Sequence, residues 1–131
     1  MAALGFHHIN LRAPRELIEQ LRSFYVEVIG LRVGERAPLS SAGYWLYAGD
    51  QELIHLSVAR DSEPHRVPSP TGTYDHLALA CRGLADTQAH LQQHGVAFTA
   101  RRVAGTGQHQ LFLKDPAGNG VELNFPADEI A

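Results

Sequence analysis

Along the chain, apolar and polar residues change period several times, and each change marks an element. Residues 5–12, GFHHINLR, alternate moderately, as a strand with one buried face does. Pro14 then opens a segment to Ile29 in which Leu17, Ile18, Leu21, Phe24, Tyr25 and Val28 fall at helical spacing. Proline suits the first turn of a helix, and Gly30 suits its end. The pattern predicts short strands over Leu31–Arg36, Tyr44–Ala48 and Glu52–Ala59, with the turn Gly49-Asp50 between the last two. Residues 60–72, RDSEPHRVPSPTG, carry three prolines and little that is apolar, and they read as a linker.

Beyond the linker the order recurs. The pattern predicts a strand over Tyr74–Cys81, a helix over Gly83–His94 ended by Gly95, and strands over Val96–Arg102, Gln108–Lys114 and Val121–Phe125. The reading is strand-helix-strand-strand-strand, twice. Landmarks of three kinds share nearly one shift: His8 to His76 is 68 residues, Gly30 to Gly95 is 65, and His55 to Glu122 is 67. HINL and HLAL also match in local pattern, which favours a true repeat over coincidental spacing. The expected domain is the whole chain, 1–131, made of repeats 5–59 and 73–126.

Strand alternation then singles out four polar residues. His55 lies between Ile54 and Leu56, and Glu122 between Val121 and Leu123. His76 opposes Leu77 and Leu79; His8 opposes Ile9 and Leu11. The apolar set can pack under a helix while the polar residue faces the other side of the sheet. His7 shares the side of Ile9 and Leu11, so alternation prefers His8 of the adjacent pair. His8 and His76 hold the first strand of each repeat, and His55 and Glu122 the last. If the repeats pair about a pseudo-twofold axis, the four converge. Three imidazoles and a carboxylate suit a borderline divalent ion: Zn, Ni, Fe, Co or Mn. Singly, each is as well explained as a solvated or hydrogen-bonded residue; the shared phase favours metal.

Composition narrows the classes. Eleven Lys and Arg against fourteen Asp and Glu give a net charge of −3, and the basic residues are scattered, which argues against a nucleic-acid surface. One cysteine, Cys81, excludes an internal disulfide and fits a reducing cytoplasm; on the side of Leu77 and Leu79 it is expected to be a buried, inert thiol. The N-terminus lacks the pattern of a signal peptide, and no apolar run reaches membrane-spanning length. The other histidines read blandly: His90 and His94 on a solvated helix face, His65 in the linker, His109 at a strand end. Tyr44, Trp45 and Tyr47 can wall a pocket or fill the core. Gln108, Gln110 and Phe112 share the face away from the helix. Arg12, Arg101 and Arg102 can reach an anionic substrate, or simply face water.

The stretches HHINLRAP, LRSFYVEVIGLRVGE, YDHLALAC and QLFLKDPAGNGVELNF resemble the vicinal oxygen chelate superfamily. That superfamily holds glyoxalase I, bleomycin- and fosfomycin-resistance proteins and extradiol dioxygenases. The resemblance implies an α+β fold of two tandem βαβββ modules forming a cup-shaped mixed sheet. It also implies a homodimer and a divalent metal bound by His8, His76, Glu122 and, at a position where glyoxalase I leads one to expect a carboxylate, His55. It further implies a small substrate bound through two oxygens, with His55 or Glu122 moving the proton. The reaction would be lyase or isomerase chemistry as in lactoylglutathione lyase, or dioxygenase chemistry. The alternative is a bleomycin-resistance-like protein that binds a small molecule without catalysis.

Overall fold

The computed structural model describes residues 2–64 and 72–130. His65 and most of the expected linker lie outside the described residues. The chain divides into two compact units, one on each side of that gap.

In the first unit, β1 (Ile9–Ala13) leads into α1 (Arg15–Ser23) and a π-helical turn (Phe24–Val28). Then come β2 (Arg32–Gly34), β3 (Gly43–Ala48) and β4 (Gln51–Val58). The sheet order is β1-β4-β3-β2, with β1 parallel to β4 and the other pairs antiparallel. In the second unit, β5 (His76–Ala80), α2 (Leu84–Gln93), β6 (Thr99–Arg102), β7 (His109–Lys114) and β8 (Gly120–Phe125) repeat the arrangement as β5-β8-β7-β6. Each unit is thus a βαβββ module with a mixed four-stranded sheet, and the fold is α+β.

The helix side of each sheet is the core. In the first unit α1 lies against β1, β3 and β4, and Ile18, Leu21, Leu46, Ile54 and Leu56 are buried beneath it. In the second, Leu84 and Leu91 of α2 and Leu111, Val121, Leu123 and Phe125 of the sheet are buried. Burying a side chain of this size contributes about 2 kcal/mol. Gly30 and Gly95 end the helical stretches with φ of 95° and 66°, a left-handed conformation that glycine adopts without strain.

The expected helix over 14–29 differs in its last turn. There the backbone widens, with the Ile29 N–H reaching the Phe24 carbonyl at 3.1 Å. The wider turn buries both Phe24 and Tyr25, neighbours that a regular helix would splay by about 100°. The first strand also begins later than expected, at Ile9, where pairing with Ile54 starts. His7 and His8 therefore precede the strand, and alternation does not govern them.

Candidate functional site

In each unit the central strand carries the candidate residue on the face away from the helix. His55 of β4 is buried between Ile54 and Leu56 in sequence, but those two point into the core and His55 points the other way. The cross-strand register puts Trp45 beside it on one side and Asn10 on the other. The Trp45 ring lies flat on the imidazole, with centroids 4.2 Å apart and planes 10° apart. His8 covers the other side at 3.8 Å and 11°. His55 is thus the middle of a three-ring stack, which fixes its plane. Its Nε2 is buried and has no hydrogen-bond partner among the described residues.

His7 comes closer to this group than alternation predicts. Its Nδ1 lies 2.8 Å from His8 Nδ1, and the two rings meet edge to face. The reason is the late start of β1: the bend ahead of it lets neighbours point the same way. His8 nonetheless remains the one stacked on His55.

Burial, and secondly the nearby His8, push the His55 pKa below its ordinary value, so the ring is held neutral at neutral pH. In the unfolded chain it titrates near its usual value of about 6.5. The unfolded state therefore binds more protons as pH falls through that value, and stability drops toward acid. Denaturant unfolding of metal-free protein at pH 7.5 and 5.5 is expected to show this loss, and His55→Gln to reduce it. An unchanged pH dependence in the variant would assign the loss elsewhere.

The second unit builds its counterpart from β5 and β8. Glu122 is buried at 6% exposure, in register with Ala78 on one side and Phe112 on the other. Phe112 thus holds the place of Trp45, and its ring meets His76 edge-on at 5.9 Å. Glu122 Oε2 accepts a hydrogen bond from Asn124 Nδ2 at 3.0 Å, and Oε1 lies 3.2 Å from His76 Nε2. The other nitrogen of that ring, Nδ1, is 2.7 Å from Asp75 Oδ2. His76 pairs with Gly120, and a Cβ there would come within 2.3 Å of the Asp75 carbonyl oxygen, so only glycine lets the strand carrying His76 approach.

The donor atoms of His76 and Glu122 suit a divalent ion. The Asp75 carboxylate at Nδ1 orients the His76 ring so that its Nε2 is turned to Glu122 Oε1. Donor atoms bound at about 2.1 Å in tetrahedral array lie roughly 3.4 Å apart, close to the 3.2 Å between His76 Nε2 and Glu122 Oε1. His55 offers a neutral, unpartnered nitrogen. Within neither unit do three or more His, Cys, Asp or Glu gather to hold an ion among the described residues. Each unit supplies a pair.

Three other expectations change. Tyr44 turns to the helix side, where its hydroxyl donates to Glu19 at 2.7 Å, so only Trp45 of that strand stacks on His55. Arg12 is gripped by both oxygens of Glu63 and is not available to an anionic substrate. Cys81 is half-buried rather than fully buried; burial raises its pKa and keeps the thiol protonated. Asp75 and Asn124 were missing from the sequence reading. Asn124 was within reach of it, since a residue two beyond Glu122 shares its face. Asp75 was not, because it lies just ahead of β5, where alternation fails.

Tandem βαβββ modules, each presenting its polar pair away from the helix, define a class of small α+β proteins built on an internal repeat. The chain belongs to the Glyoxalase/Bleomycin resistance protein/Dioxygenase superfamily, whose family model matches residues 5–123. It is 27% identical over 84 residues to the glyoxalase domain-containing protein RDO1 of Mycosarcoma maydis, covering 61% of this chain and 48% of that protein. The chain thus matches about half the length of this curated relative. Among solved structures, the antibiotic binding protein TnmS3 from Streptomyces sp. CB03234 matches with a TM-score of 0.67 at 24% identity, over 96% of this chain and 98% of its own. Lactoylglutathione lyase from Agrobacterium tumefaciens matches with a TM-score of 0.66 at 18% identity, over 95% and 96%. At such identities the likeness is one of fold.

Proposed function

We propose that the protein is a metal-dependent enzyme of glyoxalase or dioxygenase type, with His8, His55, His76 and Glu122 as the donors to one divalent ion. Repeats 5–59 and 73–126 would then act as one domain across the 60–72 linker. The observation that carries this reading is the approach of His76 Nε2 to Glu122 Oε1 at 3.2 Å, with the opposite ring nitrogen held by Asp75. A bound Zn, Ni, Fe, Co or Mn ion would supply Lewis acidity at two neighbouring oxygens of a small substrate, easing proton movement or O₂ activation.

The chain's own residues supply the rest. Trp45 and His8 hold the His55 ring in plane. Asn124 fixes Glu122 Oε2, the oxygen turned away from His76 and so the one placed to take or return a proton. If His55 stands off the ion, its neutral ring is the second proton acceptor; as a ligand its one lone pair is taken up by the metal. The resemblance adds the expectation of a homodimer, and the single cysteine that of a cytoplasmic setting.

Metal analysis of protein purified without a histidine tag tests the reading. Stoichiometric metal, or stoichiometric uptake of one of the five ions, is expected. No metal and no uptake would overturn it. A second reading rests on the three-ring stack, which presents an aromatic face suited to a flat ligand. In that case the protein binds a small molecule without catalysis, and ligand affinity survives His8→Ala and Glu122→Ala.

A further inference from the structure

The end of α2 carries two histidines that the proposed chemistry does not use. Leu91 of the last turn is buried in the core, while His90 is half-buried and His94, the capping residue, is exposed. Residues four apart on a helix share a face. The two rings accordingly meet, with centroids 4.2 Å apart and planes tilted by 49°.

The backbone fixes the tautomer of His94. Its Nδ1 lies 3.0 Å from the His90 carbonyl oxygen. A carbonyl only accepts, so Nδ1 holds the proton, and in the neutral ring the lone pair is on Nε2. A backbone carbonyl behind one nitrogen is the usual support of an imidazole that binds metal through the other. The helix adds to this, because the carbonyls of its last turn form the negative end of the dipole and favour a cation there.

The spacing of the rings selects the ion. An imidazole bound at about 2.0 Å has its centroid about 3.1 Å from the metal. Two such rings at a right angle have centroids about 4.4 Å apart, and in a tetrahedral array about 5.1 Å apart. The 4.2 Å observed fits the right angle. Square-planar and tetragonal nitrogen sites are those of Cu(II) and Ni(II), and Cu(II) binds the more tightly.

We propose that His90 and His94 form a chelating site for a square-planar divalent cation, Cu(II) before Ni(II). The imidazoles take two neighbouring corners and water the others. Among the described residues no third His, Cys, Asp or Glu completes a metal-holding group with them. The pair stands on the helix side of its module, whereas Glu122 faces away from the helix, so the site is separate from the proposed metal chemistry.

The test is a titration of the ¹⁵N-labelled full chain with Cu(II) at pH 7.5, followed by the broadening of amide signals near the unpaired electron. Saturable broadening is expected at residues 87–97. His90→Gln and His94→Gln each leave one imidazole and are expected to weaken Cu(II) there at least about tenfold, because the second donor no longer binds intramolecularly. Glutamine suits both positions, since neither ring is fully buried and glutamine is a good helix former. In Glu122→Gln the response of residues 87–97 is expected to be unchanged. Absence of saturable broadening there overturns the proposal. So does an affinity unchanged in either histidine variant, which marks binding to a single ring. A response lost in Glu122→Gln also overturns it, by placing the ion at the other site.

Discussion

Glu122→Gln is expected to lower divalent-metal affinity at least about 100-fold and to leave the metal-free protein no less stable. Removing a group that only orients a ligand already costs about 10- to 100-fold, so removing a donor costs no less. Glutamine keeps the size of the side chain and an oxygen for Asn124 Nδ2. What it loses is the negative charge, buried at 6% exposure beside His76. Burying a carboxylate carries a desolvation cost in the metal-free fold, and neutralising it relieves that cost. Calorimetric titration with Zn or Ni, and thermal unfolding of the stripped protein, measure both halves. Had Glu122 served only to pair a doubly protonated His76, the variant would lose stability and keep its metal affinity. Asn124→Ala is expected to sit between the two extremes, about tenfold weaker in metal binding with little change in stability.

Asp115→Ala is expected to cost about 3 kcal/mol of stability, lowering the melting temperature by about 10 °C. Asp115 is 4% exposed, and its carboxylate organises the turn DPAGNG. Oδ1 accepts from the backbone N–H of Ala117 and of Asn119, each at 2.9 Å, and Oδ2 accepts from Asn119 Nδ2 at 3.0 Å. Alanine would leave those donors without their acceptor inside a tight turn. The turn launches β8 and brings Gly120 against His76, so metal affinity should fall along with stability. Asp115→Asn, which can still accept at one oxygen, is expected to recover part of both. A variant as stable as the parent would show that the turn is held by its backbone bonds alone.

The order of elements was legible because each module uses a different hydrophobic period for helix and strand, and because glycines stand where both helices end. His55 and Glu122 were legible as inward polar residues because they sit in mid-strand, where the two-residue period is strict. At strand ends the same rule misled. His7 and His8 lie before β1, so their rings came together rather than apart. Asp75 lies before β5 and was overlooked as a partner of His76. The direction of Tyr44 followed from β3 register, which depends on a bulge between Leu46 and Tyr47 that no residue pattern announces. The stacking of His8, ahead of β1, with His55 of β4 and Trp45 of β3 was out of reach, because it joins residues whose spacing in sequence carries no period.

The strand β6 closes one end of the second sheet, and all four of its residues, Thr99 to Arg102, are exposed. An open strand edge is a template for any passing extended chain. Here Arg101 and Arg102 follow one another, and alternation sends one charge to each side of the sheet. A second molecule adding its own β6 would set arginine against arginine on both faces at once. In the antiparallel register that sets Arg101 of one molecule opposite Arg102 of the next, like charges meet on both faces, which disfavours growth of the sheet through this edge.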